Sequence, residues 1–118
     1  MKTDLQSFFE ALYKNFNDRK IDIVIAEMTP DVQWANGMEG GYVYGHKGVK
    51  EYWTRQFKQV HPNVIPVEIK KENNMVHIKV HQVVHDIYGD LLADEMAEHI
   101  FYLKDYKIYR FDIGKKMH

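Results

Sequence analysis

Apolar residues recur at helical spacing from the start of the chain: Leu5, Phe8, Phe9, Leu12, Tyr13 and Phe16. Thr3 with Gln6 three residues on has the form of a capping box, so this stretch predicts a first helix. A shorter stripe of Ile21, Val24, Ile25 and Met28 predicts a second, with Asp18 as its cap. Thr29-Pro30 ends it, because proline disfavours helix at the residue before it. Residues 31–36 (DVQWAN) read as a short strand. GMEGGYVYG reads as a glycine loop with a short strand at Tyr42–Tyr44. It lacks the GK[ST] or GxGxxG pattern of a phosphate cradle, so its glycines are turn residues. Val49, Tyr52, Trp53, Gln56 or Phe57, and Val60 put a third helix over 46–60, stopped by His61-Pro62.

From Asn63 onward the period changes to two. Turn signals at Asn73-Asn74, Gly89-Asp90 and Asp105-Tyr106 divide this half into a meander of four strands. Two-residue turns at all three places would fix the register. One face would then collect Ile65, Val67 and Ile69; Val76, Ile78, Val80, Gln82 and Val84; Ala97, His99, Phe101 and Leu103; and Ile108, Arg110 and Asp112. In that register Val67 faces Val80, His99 faces Asp112, Phe101 faces Arg110, His81 faces Glu98 and His85 faces Asp94. The apolar faces agree from strand to strand, as a sheet covered on one side by helices requires. Helices are segregated from the strands of the meander, which is an α+β organisation in a single domain over 1–118.

The opposite face carries Ile100, Tyr102, Tyr109, Phe111 and Ile113 on its last two strands. That patch is larger than a monomer usually leaves wet, so it predicts a homodimer through the sheet.

Composition narrows the function. The formal charge is -1 with His neutral, so no basic field holds a nucleic acid. There is no cysteine, which excludes disulfides and thiol chemistry and fits a reducing cytoplasm. No segment approaches the ~20 apolar residues of a membrane span, and MKTDLQSFFEALY is not a signal peptide. A cytoplasmic protein is expected. His77, His81 and His85 invite a metal reading, but i and i+4 on a strand lie ~13 Å apart at ~3.3 Å per residue. No metal site is expected.

Two stretches resemble the nuclear transport factor two-like superfamily, and within it the SnoaL-like proteins. DVQWANGMEGGYVYGHKGVKEYW is similar to that family's strand, glycine loop and third helix. EHIFYLKDYKIYRFDI is similar to its last hairpin. The resemblance covers nearly the whole chain. It implies a cystatin-like, cone-shaped curved antiparallel sheet wrapped by three N-terminal helices, with an internal pocket and dimerisation through the sheet. Its members include ketosteroid isomerase, polyketide cyclases, scytalone dehydratase, limonene epoxide hydrolase and non-catalytic binding modules. The isomerase's general base falls on Asn36, its protonated oxyanion-hole Asp on His99, and its oxyanion-hole Tyr near Leu12 with Tyr13 adjacent. None is retained. The cyclases match better: their Asp and His on the last two strands fall on Asp112 and His99. Their Asn on the early strand falls on Asn36, and Gln82 could approach where their helper Gln is Ala97 here.

The expected site therefore has His99 and Asp112 as a general acid–base pair. Asn36, Gln82 and Arg110 would position oxygen atoms, and Trp34, Tyr13, Trp53 and Phe57 would line an apolar pocket. The expected activity is cofactor-free isomerisation, cyclisation or dehydration of a small apolar carbonyl compound. The other expectation is a ligand-binding or dimerisation module without turnover.

Overall fold

The computed structural model describes residues 4–117, with side chains as far as Gly114. Thr3, half of the expected capping box, lies outside the described residues. The elements run α1 (Asp4–Asn17), α2 (Ile21–Ile25), β1 (Met28–Ala35), β2 (Tyr42–Tyr44), α3 (Gly45–Gln59), β3 (Val60–Glu72), β4 (Met75–Asp86), β5 (Leu91–Lys104) and β6 (Lys107–Met117). They form one six-stranded sheet in the order β2-β1-β6-β5-β4-β3. The expected α+β class and three helices hold. The sheet is mixed, however, because β1 runs parallel to β6 while the other pairs are antiparallel. No described helix is long and apolar enough to cross a membrane.

The helices cover one face of this sheet. Phe9, Leu12 and Tyr13 of α1, and Val49, Tyr52 and Trp53 of α3, are buried against Trp34, Ile78, Phe101 and Phe111 of the strands. Helix α1 ends where Arg19 takes a left-handed φ of 63°. Lys20 N–H then reaches Asn15 O and Arg19 N–H reaches Phe16 O, which satisfies the last carbonyls of the helix. Asn17 next to this cap clamps the edge strand β3: its amide donates to Val64 O and accepts from Val64 N–H, both at 2.9 Å. Helix α2 is shorter than its stripe. Lys20, not Asp18, precedes it, and Asp18 instead pairs with Lys14. Met28 is buried as the first residue of β1, and Pro30 sits where a bulge interrupts β1–β6 pairing. A residue without an N–H is tolerated there.

All three hairpins form, but one or more bulges or a longer turn alters each register. The Asn73-Asn74 turn pairs its strands as expected as far as Glu68↔Lys79. A bulge at Val67 then pairs Pro66 with Val80 and Val64 with Gln82. Val64 is buried as a result, while Ile65 and Val67, expected in the core, are 47% and 58% exposed. The turn between β4 and β5 is longer than two residues. The Asp86 carboxylate accepts from the N–H groups of Tyr88 and Asp90, and Asp86 N–H donates to Asp90 O. This slides β5 by two residues. The face of each side chain is kept, but His81 pairs with Met96 rather than Glu98, and His85 with Leu91 rather than Asp94.

The last hairpin differs most. Asp105 and Tyr106 do make its two-residue turn, both at positive φ (51° and 63°), and Leu103 pairs with Ile108 as expected. Tyr109 is then an extra residue on β6, and Tyr102 pairs with Arg110, Ile100 with Asp112 and His99 with Ile113. A one-residue bulge moves every following side chain to the other face. Phe111 turns into the core, while Arg110 and Asp112 turn outward. The expected outer patch therefore loses Phe111 and also Ile113, which pairs with the inward His99, and keeps Ile100, Tyr102 and Tyr109, all partly buried.

Candidate ligand pocket

Between the helices and the concave side of the sheet lies a cavity of about 310 Å³. Its walls are mostly apolar, and seven aromatic rings stand among the aliphatic side chains: Tyr13 and Phe16 from α1, Trp34 from β1, Tyr52 and Trp53 from α3, Phe101 from β5 and Phe111 from β6. Trp34 stacks on Phe111 with ring centres 4.1 Å apart and meets Trp53 edge-on at 5.2 Å. This volume falls at the small end of ordinary ligand sites, which are concave and largely apolar with few placed polar groups.

The placed polar groups are specific. Alternation along β5 sends Ala97, His99 and Phe101 inward, and His99 is 8% exposed. Tyr13 reaches it from α1, with its hydroxyl 2.7 Å from His99 Nδ1. Burial lowers the His99 pKa from 6.5 to about 4 and raises that of Tyr13 well above 10.0. Both groups are therefore neutral at physiological pH. The phenol is the better donor of the two, so Tyr13 donates to Nδ1 and the ring proton sits on Nε2. No described residue accepts from that Nε2. Nearer the open end of the same strand face, Glu95 lines the cavity and accepts from the Gln82 amide at 3.4 Å. The Tyr52 hydroxyl accepts from Gly37 N–H at 3.1 Å, which leaves its own proton to donate.

The pocket brings together five of the expected residues: His99, Tyr13, Trp34, Trp53 and Gln82. Four others stand elsewhere. Asp112 is on the outer face, where it accepts from Tyr42 Oη at 2.7 Å and from Arg110 Nε at 3.0 Å. Arg110 also donates to Tyr42 Oη at 3.3 Å and lies over the Tyr102 ring. Tyr42 reaches this pair because Tyr42, Ala35 and Asp112 lie side by side on β2, β1 and β6, on the face opposite Trp34. Asn36 shares strand parity with Trp34 only on paper, since β1 ends at Ala35. Its side-chain oxygen instead accepts from Met38 N–H and Glu39 N–H, and so closes the glycine loop. Phe57 packs on Phe16 beneath the Arg19 guanidinium, 4.4 Å from the ring centre.

Sequence reasoning missed Glu95, Tyr52, Gln56 and Met38 as lining residues. Glu95 carried a usable signal, because it shares strand parity with Ala97 and His99. The others depend on the tilt of α3 and the path of the glycine loop, which periodicity does not report. Among the described residues no three His, Cys, Asp or Glu side chains gather as a metal site.

No family profile matches the chain, and no curated protein does. Solved structures do. TerC, in a crystal structure with polyporic acid, is 27% identical over 88% of this chain and 85% of its own, with a TM-score of 0.79. An NTF2-like protein of unknown function from Burkholderia pseudomallei is 21% identical, over 97% of this chain and 91% of its own, with a TM-score of 0.83. A candidate polyketide cyclase from Xanthomonas campestris is 18% identical, over 91% and 86%, with a TM-score of 0.74.

Proposed function

We propose that this chain, whose fold is that of the nuclear transport factor two-like superfamily with its cystatin-like sheet and helices, binds a small aromatic carbonyl compound in the cavity and activates it for acid–base chemistry without a cofactor. One observation carries this reading: the buried Tyr13–His99 hydrogen bond in a largely apolar wall. A neutral imidazole with its Nδ1 occupied offers its Nε2–H to a carbonyl oxygen. It donates without carrying charge, and it stabilises the negative charge that builds on that oxygen as the carbonyl is polarised. The rings of Trp34, Trp53 and Phe101 suit a flat unsaturated ligand. TerC was co-crystallised with polyporic acid, which supports a small organic ligand for this chain too. Isomerisation, cyclisation and dehydration all begin with such a polarised carbonyl.

A second reading, binding without turnover, is favoured by one observation. Asp112, the acid expected to act as base beside His99, is hydrogen-bonded to Tyr42 and Arg110 on the other face. We also propose that Ile100, Tyr102 and Tyr109 on the outer face meet a second copy of the chain, which light scattering across a concentration series tests directly.

Quenching of Trp34 and Trp53 fluorescence tests the main reading. Acetophenone should bind more tightly than ethylbenzene, which has the same shape without the carbonyl. His99→Gln should change that preference, whereas a surface substitution such as Lys47→Gln should not. Equal binding of the two probes to the native protein would show that the Tyr13–His99 pair takes no part in recognition.

A further inference from the structure

We infer that the Tyr52 hydroxyl is a second hydrogen-bond donor of the pocket, so that the preferred ligand carries two carbonyl oxygens, one for His99 and one for Tyr52. This rests on the carbonyl-binding reading and narrows its ligand class to flat dicarbonyl compounds, such as aromatic diketones and quinones. Tyr52 is 4% exposed and lines the cavity from α3. Its oxygen accepts from Gly37 N–H at 3.1 Å, and among the described residues none accepts its own proton. Burial raises the Tyr52 pKa, against an opposing effect of the Gly37 and Met38 N–H groups, so the phenol keeps that proton at neutral pH. The His99 Nε2–H is in the same position, with Nδ1 taken by Tyr13. A buried donor without an acceptor costs free energy that a ligand oxygen restores.

The two donors stand at one corner of the cavity. A Cβ on Gly37 would lie 3.0 Å from Ile113 Cδ1 and 3.9 Å from Tyr52 Oη, so these three lining residues meet there. Ile113 is also the partner of His99 in the β5–β6 pairing. Residues directly opposite on two strands have Cβ atoms roughly 5 Å apart. His99 and Tyr52 therefore flank Ile113, one beside its Cβ and the other beyond its tip. One small molecule lying along Ile113 meets both. Both donors are neutral, and no Lys or Arg is among the described lining residues. The corner therefore suits two uncharged carbonyl oxygens rather than a carboxylate, which calls for a cationic partner.

Four probes test this: the meta and para isomers of diacetylbenzene and of ethylacetophenone, each titrated against the Trp34 and Trp53 fluorescence. Each ethyl compound has the outline of its diketone without the second oxygen. On the native protein the better diketone should bind about ten-fold more tightly than its ethyl counterpart. That combines roughly five-fold from one neutral hydrogen bond with a factor of about two for two equivalent orientations. Tyr52→Phe should cut the advantage to about two-fold and leave the ethyl compound's affinity unchanged, which also shows that the pocket is intact. Failure of both ethylacetophenones to bind the native protein would overturn the carbonyl-binding reading and this assignment with it. With the ethylacetophenones binding, a diketone advantage of two-fold or less on the native protein would overturn the second donor alone. So would an advantage that persists in Tyr52→Phe, which would give the second oxygen to another group. Equal weakening of both compounds in Tyr52→Phe would reduce Tyr52 to a latch for the glycine loop.

Discussion

The Tyr13 hydroxyl lies 2.7 Å from His99 Nδ1, joining the first helix to the fifth strand across the interior. The contact is buried, so neither partner can exchange the other for water. Tyr13→Phe should lower stability by about 1–3 kcal/mol, because an acceptor is left unpaired away from solvent. The double variant Tyr13→Phe/His99→Phe should lose less than the two single variants added together, since it leaves no polar group stranded. Urea denaturation of the four proteins tests this coupling. Strict additivity would mean that the two side chains do not interact.

The same burial makes stability depend on pH. His99 titrates near 6.5 when unfolded and at about 4 when folded, through desolvation of the cation. Between those values the unfolded chain binds a proton that the folded chain does not. Stability is therefore complete above pH 6.5 and falls as the pH drops toward 4, by about 3 kcal/mol for ~2.5 pH units. Urea midpoints from pH 7.5 to 4 should show this slope, and His99→Gln should flatten it. A slope of the same size in the variant would assign the acid sensitivity to other groups.

The register of the last two strands explains how much of the site was legible in the sequence. Alternation placed His99 inward correctly, because parity along β5 survives a slide by two. It failed for Arg110 and Asp112, because an extra residue in one strand reverses parity and leaves no pattern in a run such as IYRFDI. The bulge at Val67 hid Val64 from the core in the same way. Asp105-Tyr106 could be read as a turn. Tyr109 beyond it could not be read as a bulge, since Ile, Tyr and Phe suit either face of a strand. Helices α1 and α3 were legible almost to the residue from their stripes of large apolar side chains, whereas the stripe read for α2 ran on into Met28, the first residue of β1.

Asp112→Asn offers a direct check of this register. The side chain accepts from Tyr42 and Arg110 on the outer face and is half-buried there, so its loss should cost about 1–2 kcal/mol, as for hydrogen bonds to a partly screened charge. Affinity for acetophenone should not change. Loss of ligand affinity in this variant, with the fold intact by circular dichroism, would return Asp112 to the pocket.

The Asp105-Tyr106 turn carries removable strain. Tyr106 is 87% exposed and holds φ at 63°, where side chains with a Cβ are disfavoured. Tyr106→Gly should raise stability by about 1 kcal/mol, because the two-residue turn of this kind favours glycine at that position. Thermal melts of the two proteins decide the sign, and a lower melting temperature in the variant would mean that the phenol makes an unrecognised contact.

The extra residue at Tyr109 has a further consequence for how such a protein can diversify. Loss of one codon there would flatten the bulge and leave every later side chain on its present face, with Arg110 opposite Tyr102 and Phe111 opposite Phe101. Flattening the bulge with the residue retained would instead carry Arg110 opposite Phe101 and Asp112 opposite His99, and turn Phe111 outward. The bulge therefore lets β6 lose one residue while its inward side chains stay inward.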